Sequence, residues 1–178
     1  IVIPNSVTSI GEGAFANCKA ITSIIIPKGI TKIEDSTFMN CEALTSVTIP
    51  NTVTSIGSGA FSSCKSLPSI AIPNTVTNIG KSAFSSCSAL KTFTFPDNNS
   101  ITSIENDTFL GAGLTSITIP NTVKSIGNNA FAECPALNSV TLKGGTPPTI
   151  NIDSWPGTFS DTPLNAIYVP ANLSLIHI

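Results

Sequence analysis

The feature that most constrains this chain is a segment of about 23 residues that recurs along most of its length. A proline in each copy marks the period, with spacings of 23, 23, 23, 23 and 24 residues, at Pro4, Pro27, Pro50, Pro73, Pro96 and Pro120. Fixed periods of about 20 to 50 residues are typical of solenoids, propellers and helical arrays. A propeller blade needs about 40 residues and a helical repeat more than about 30, so this period favours a β-solenoid.

The alternation of side chains within one copy predicts a short strand. The unit reads L-x-x-I-x-I-P-N-x-V-x-x-I-G-x-x-A-F-x-x-C. In the copy that begins at residue 44, Val47 and Ile49 point inward, whereas Ser46 and Thr48 point outward. Pro50 has no N–H group to donate to a neighbouring strand, so the strand ends there.

The second half of each copy predicts a turn and a corner. A short extended segment ends at Ile56, Gly57 can supply a positive φ, and the residues around Phe61 return the chain through a 3₁₀-like corner. Glu34 and Glu105 replace this glycine in two copies. Because glutamate is strained at positive φ, either the conformation is ordinary or these two corners differ.

One copy cannot bury its own apolar face, so the copies must stack about 4.8 Å apart. The fold class predicted is mainly β: a right-handed leucine-rich-repeat solenoid with a parallel β-sheet on one face and short strands and 3₁₀-like corners on the others. Residues 1–142 are predicted to form the repeats, and residues 143–178 a divergent C-terminal repeat or cap. One aromatic spine is expected from Phe15, Phe38, Phe61, Phe84, Phe109, Phe131 and Phe159.

The repeated elements "IP", "SIG", "AF" and "C" resemble the BspA-like family of leucine-rich repeats. The resemblance covers nearly all of residues 1–142 in six or more in-phase copies. It implies a curved solenoid in a secreted or surface-attached protein, often an adhesin. It brings no catalytic residues to this chain.

Composition argues against several classes of function. Charged residues make up 10% of the chain, against about 25% in typical soluble domains, and the eight Lys and Arg residues form no cluster. Nucleic acid is therefore not an expected partner. The longest apolar stretch is far shorter than the roughly 20 residues of a membrane span, so no membrane insertion is predicted. The single histidine, His177, has no supported catalytic set and no phosphate-binding loop is present, so neither an enzyme nor a cofactor is predicted.

The cysteines form a row in the repeat, three residues after the spine phenylalanine: Cys18, Cys41, Cys64, Cys87 and Cys134. Stacked side chains point the same way and their number is odd, which favours buried free thiols over disulfides. A line of sulfur atoms also does not suit a tetrahedral metal, so no metal site is predicted. A serine at Cys64 is expected to place a hydroxyl in an apolar row, which costs about 1–3 kcal/mol if that hydroxyl is unpaired.

Two other motifs carry candidate chemistry. The acidic pairs Glu34 with Asp35 and Glu105 with Asp107 could suggest cation sites, but solvated corner charge is the favoured interpretation. Three Asn-x-Ser/Thr motifs are possible glycosylation sites, at Asn98, Asn106 and Asn172.

Two surfaces are candidates for contact with a partner. The outward strand positions give a flat, uncharged face of mostly small side chains: Ser46, Thr48, Ser69, Thr92, Thr94, Ser116, Thr118, Ser139, Thr141 and Tyr168. The first strand is an end-to-end docking edge, with Ile1 and Ile3 expected inward and Val2 outward, that could meet the last strand around Ala166 and Tyr168.

Three functions remain open at this point. The first is a non-catalytic extracellular or cell-surface protein for adhesion or protein binding, whose partner is a protein or a glycan. The second is a structural subunit whose copies stack head to tail into an extracellular fibre. The third is an ice- or crystal-binding surface that uses the threonine rows.

Overall fold

The computed structural model describes residues 1–96, 100–150 and 157–169, in which all regular structure is β and no helix could span a membrane. The strands of the first sheet are β1 (Ser23–Ile25), β3 (Ser46–Thr48), β5 (Ser69–Ala71), β7 (Thr92–Thr94), β9 (Ser116–Ile119), β11 (Ser139–Leu142) and β13 (Ala166–Tyr168). The strands of the second sheet are β2 (Lys32–Ile33), β4 (Ser55–Ile56), β6 (Asn78–Ile79), β8 (Ser103–Ile104), β10 (Ser125–Ile126) and β12 (Thr149–Ile150).

The strands pair in parallel, each with its counterpart in the next repeat. Ile24 lies opposite Val47, Ile70 opposite Phe93, and Val140 opposite Ile167, so equivalent side chains stack on one another. The expected parallel β-solenoid of 23-residue leucine-rich repeats is confirmed.

The sheets are less continuous than the repeat predicts. The described part of the first sheet consists of three hydrogen-bonded segments, β1–β3, β5–β7 and β9–β11–β13. The second consists of β2–β4–β6 and β8–β10–β12. The strands nevertheless keep their order, and each pair that forms is parallel and in register, as predicted.

The predicted aromatic spine forms the centre of the core. Neighbouring rings from Phe15 to Phe159 stack with centroids 5.3–5.7 Å apart and planes inclined by 2–14°. This spacing is that of offset stacking, which aromatic pairs prefer to a face-to-face sandwich. Phe61 and Phe84 are completely buried.

The corner that carries the spine is a series of turns closed by i to i+3 hydrogen bonds. In one copy the N–H groups of Ala60, Ser62 and Cys64 donate to the residues three positions before them, at 3.3, 3.0 and 3.1 Å. Gly59 and Ser63 have φ values of 62° and 59°. These left-handed residues prevent the turns from joining into one 3₁₀ helix.

The predicted role of Gly57 is wrong, because its φ is not positive and the left-handed residue lies two positions later. A Cβ added to Gly57 would lie 2.6 Å from the amide nitrogen of Asp35 in the preceding repeat. Glycine is needed here because two backbones approach closely.

The candidate binding face and its surroundings

The outward face of the first sheet is built by the alternation of each short strand. The predicted face residues from Ser46 to Thr118 are all exposed, whereas Ser139 and Thr141 are half-buried. Two larger apolar side chains lie near its ends, Ile25 with 67% and Tyr168 with 59% of its surface exposed. The outward positions of the strands of the first sheet carry no charged residue, so polar contact there depends on hydroxyl groups.

The face opens into a groove where β7 and β9 fail to pair. Phe93 replaces the Ile or Val of other copies, and its ring lies 5.3 Å from that of Phe84 and 4.8 Å from that of Phe109. The groove has a volume of about 420 Å³. Its walls include Thr92, Thr94, Ser116, Thr118, Asn121 and Lys143. It therefore combines hydroxyls, an amide and one cation above a buried aromatic floor.

The side chains of the first strand point as predicted, with one correction. Val2 is outward, with 90% of its surface exposed, and forms a parallel bridge with Ile25. Ile3 packs partly against the core, as expected. Ile1, expected inward, is 63% exposed, because no turn of the described chain packs on that side of it.

The repeat family of the chain follows from the sequence match. The model of the BspA type leucine-rich repeat region matches residues 1–109 and 102–177, in six copies. The chain belongs to the BspA-type leucine-rich-repeat family. The resemblance predicted from the "IP", "SIG", "AF" and "C" elements is thus confirmed.

Solved proteins with this fold are longer than the chain. A leucine-rich cell surface protein from Faecalibacterium prausnitzii is 34% identical over 88% of this chain and 52% of its own, with a TM-score of 0.63. A leucine-rich repeat protein from Bacteroides ovatus is 28% identical over 79% and 48%, with a TM-score of 0.56. The pneumococcal vaccine antigen PcpA is 26% identical over 81% and 40%, with a TM-score of 0.70. The chain thus spans about half of these proteins or less, and no curated protein matches it.

The cysteines of these BspA-type repeats are free thiols with a defined partner. Cys41, Cys64, Cys87 and Cys134 are completely buried, and Cys18 is partly buried. Each buried thiol donates to the carbonyl of the spine phenylalanine in the preceding turn. For example, Cys64 Sγ lies 3.3 Å from Phe38 O and Cys134 Sγ lies 3.1 Å from Phe109 O. A serine at Cys64 would therefore lie beside an acceptor, the Phe38 carbonyl, so the cost expected for an unpaired hydroxyl does not apply if it donates there.

Burial also makes these thiols poor nucleophiles. It raises the pKa of Cys41 and Cys134 to about 11 and that of Cys87 to about 12. The pKa of Cys64 is raised further, first by burial and then by the neighbouring Cys87 and Cys41. Because the thiolate is the reactive form, these side chains contribute packing rather than chemistry.

The raised pKa values predict that stability falls in alkali. Unfolded thiols ionise near pH 8.5, whereas the native thiols keep their protons to higher pH, so the native state binds more protons in between. The free energy of unfolding should therefore fall as the pH rises from about 8.5, by about 1.4 kcal/mol per pH unit for a thiol such as Cys87. Urea unfolding at pH 7.5, 9 and 10 measures this slope.

The matched variant for this prediction is Cys87→Ala. It should lose stability at pH 7.5 through packing alone and then show a shallower decline between pH 9 and 10. Equal slopes for the variant and the original chain would contradict the burial of this thiol.

Charged side chains of the corners are engaged with neighbouring repeats. Glu42 Oε1 lies 3.4 Å from Lys19 Nζ and 3.5 Å from Lys65 Nζ, and these cations, Lys19 first, lower the pKa of Glu42. The Asp35 carboxylate accepts a hydrogen bond from the amide of Ser58 at 2.7 Å. These contacts join adjacent turns and leave the sheet face uncharged.

One aspartate of each acidic pair accepts a hydrogen bond from a neighbouring turn. Asp107 Oδ1 accepts a hydrogen bond from Asn129 Nδ2 at 3.1 Å, and no cluster of three metal-ligating side chains lies within residues 1–96, 100–150 and 157–169. Asp35 and Asp107 were expected to contact only solvent, and they also accept hydrogen bonds from the protein.

Only one of the three sequons lies in the described residues. Asn106 is half-buried, and its Oδ1 accepts a hydrogen bond from the amide of Asn128 at 3.0 Å. Asn98 and Asn172 lie outside the described residues, as does His177.

Proposed function

We propose that this chain is a non-catalytic binding module of a longer, surface-located repeat protein, and that the outward face of its first sheet contacts a protein partner. The observation that carries the proposal is the groove of about 420 Å³, with Lys143 in its wall, on an exposed, hydroxyl-rich face whose outward strand positions carry no charge. Its volume falls in the range of about 300–1,000 Å³ that is usual for small-molecule sites, which is enough room for a side chain of a protein partner.

The chemistry of the face favours weak contacts made many times. Interface hot spots are rich in Trp, Tyr and Arg. Of these three residue types, the outward positions of the first sheet carry only Tyr168. Serine and threonine hydroxyls both donate and accept hydrogen bonds, so they suit the backbone groups of a partner polypeptide. Presentation of many copies on one surface can raise avidity by about 10²–10⁴ without any new contact.

An extracellular or cell-surface location is part of the proposal. It is supported by membership of the BspA-type family and by the description of the F. prausnitzii protein as a cell surface protein. The pneumococcal protein is a vaccine antigen, which is consistent with exposure of that relative.

Adhesion of coated particles tests the function. Fluorescent particles bearing many copies of the chain should bind to epithelial cell monolayers more strongly than particles coated with an unrelated protein. Pretreatment of the monolayer with protease should abolish this binding. Loss of binding after glycosidase treatment alone would identify a glycan partner instead, and no binding above the control would contradict the adhesive function.

Stacking into a fibre is the second candidate, and the exposed apolar edge favours it. Ile1, Val2 and Ile25 form an apolar patch beside a hollow of about 270 Å³, at the opposite end of the sheet from Tyr168. A head-to-tail contact of this kind does not close on itself and gives filaments. Sedimentation of the chain over a hundredfold concentration range decides between the candidates, because a fibre subunit polymerises and a binding module stays monomeric.

A further inference from the structure

The turns of the solenoid are joined in the second sheet by backbone hydrogen bonds that follow a simple rule. The N–H groups of Gly57, Gly80 and Gly127 each donate at 2.8 Å to the isoleucine carbonyl that ends the preceding short strand. A second bond comes from the residue three positions before each glycine, which donates to a threonine carbonyl in the preceding turn. Thr77 N lies 2.9 Å from Thr54 O, and Lys124 N lies 2.7 Å from Thr102 O.

This rule fails at one interior junction, between the turn of Phe84 and the turn of Phe109, which we name the fourth junction. Within the described residues, Glu105 makes no backbone bond to Ile79 and Thr102 makes none to Thr77. Strands β6 and β8 do not pair there, and neither do β7 and β9 of the first sheet. The second sheet is therefore interrupted here, and one of the two breaks in the first sheet lies at the same junction; the other lies between β3 and β5, where the second sheet is intact.

The residue at the glycine position explains the interruption of the second sheet. A Cβ on Gly80 would lie 2.6 Å from the amide nitrogen of Ser58, and one on Gly127 would lie 2.6 Å from that of Asn106. A side chain is therefore incompatible with the close approach that the hydrogen bond requires. The fourth junction carries Glu105 at this position, so its turns cannot approach to the same distance.

A second position changes together with this glutamate. Thr108 replaces the alanine of the glycine-bearing turns, and its buried hydroxyl donates to the Glu105 carbonyl at 2.8 Å. Glu34 and Thr37, the other such pair, make the same bond at 2.7 Å. Glu34 lies at the first junction, near the N-terminal end, where the second-sheet ladder is likewise absent from the described residues.

The fourth junction remains connected at the aromatic corner. The N–H groups of Ser82, Phe84 and Ser86 donate to the carbonyls of Asn106, Thr108 and Leu110 at 3.0, 2.9 and 2.6 Å. The rings of Phe84 and Phe109 also stay stacked, with their centroids 5.7 Å apart. Two more backbone bonds cross the junction before the first sheet, from Gly113 N to Cys87 O at 3.1 Å and from Thr115 N to Lys91 O at 3.3 Å. The two turns are thus joined from the aromatic corner to the start of β9, while the second sheet is open.

We propose that the fourth junction is a flexible joint, held open by Glu105, about which the described residues on its two sides, 1–96 and 100–150, move as separate units. The continuous aromatic corner is the axis, and the groove between β7 and β9 lies on the open side. Motion about this axis changes the width of that groove. The joint is a property of the fold and does not depend on the identity of any partner.

Native-state hydrogen exchange by NMR tests the joint. The Thr102 amide should exchange at least about tenfold faster than those of Thr77 and Lys124, its equivalents at intact junctions. With rising denaturant, the Phe61 and Phe131 amides should become exchangeable in two separate transitions, because they lie on opposite sides of the joint. Equal protection of Thr102, or one shared transition, would overturn the proposal.

The variant Glu105→Gly tests the cause. Removal of the side chain should allow the ladder to form, slow exchange at Thr102 by at least about tenfold and merge the two transitions. Glu34→Gly is the matched control, since it makes the same change at the first junction and should leave Thr102 as it was. Unchanged exchange at Thr102 in Glu105→Gly, or an equal effect of the control, would show that Glu105 does not hold the joint open.

Discussion

Phe61→Ala is expected to lower the free energy of unfolding by about 3–5 kcal/mol, as truncations of buried phenylalanines do. Phe61 is completely buried, and its ring stacks on Phe38 at 5.3 Å and on Phe84 at 5.6 Å. The change therefore leaves a cavity and removes two aromatic contacts. Urea unfolding followed by circular dichroism measures the loss. Hydrogen exchange should show it first in the turns of Phe38 and Phe84, because each turn contacts only its neighbours.

Phe15→Ala is the matched control for this spine position. Phe15 is only partly buried and stacks on one ring, that of Phe38 at 5.5 Å. Its loss should cost clearly less than that of Phe61. A Phe61→Ala variant that loses under about 1 kcal/mol, or no more than Phe15→Ala, would contradict the central role of the stacked rings.

Gly80→Ala is expected to destabilise the protein by about 1–3 kcal/mol through overpacking. The added methyl would lie 2.6 Å from the amide nitrogen of Ser58 and 2.7 Å from the carbonyl carbon of Gly57, which are backbone atoms that cannot rotate away. Two turns would have to separate, which breaks the hydrogen bond from Gly80 N to Ile56 O. Thermal unfolding and exchange of the residue 80 amide measure the two effects.

Gly11→Ala makes the same chemical change at the equivalent position of the first turn. No atom lies within 4 Å of the added Cβ, and the φ of Gly11 is not positive. The alanine should therefore be neutral or stabilise by up to about 1 kcal/mol, since it restricts the unfolded chain. Equal effects of Gly80→Ala and Gly11→Ala would mean that the close approach of two turns does not explain why glycine recurs at this position of the repeat.

The repeat predicts the parts of the fold that depend on one copy at a time. Period-2 alternation around Val47 predicts which side chains enter the core, and the regular place of Phe61 predicts the spine, because stacking equivalent turns brings equivalent residues together. The outward hydroxyl face follows from the same alternation. The exposure of Ile1 does not, because it depends on what packs beside the first turn.

Features that depend on the distance between two turns could not be predicted in this way. The role of Gly57 is set by the approach of Asp35 in the preceding turn, and the thiol of Cys64 finds its acceptor at Phe38 in another turn. A signal was nevertheless present at the fourth junction. The joint replacement of glycine by Glu105 and of alanine by Thr108 repeats the change at Glu34 and Thr37, and such coupled changes indicate a structural cause.

The most direct test of the binding proposal compares two double variants in the particle adhesion assay. Thr94→Glu with Thr118→Glu places two carboxylates in the walls of the groove, whereas Asn78→Glu with Ser125→Glu places two on exposed positions of the second sheet. We expect the groove variant to lower adhesion at least about tenfold and the second-sheet variant to leave it unchanged, because only the carboxylates in the groove would lose their water when the partner binds. Equal adhesion of the two variants would contradict binding through the face of the first sheet.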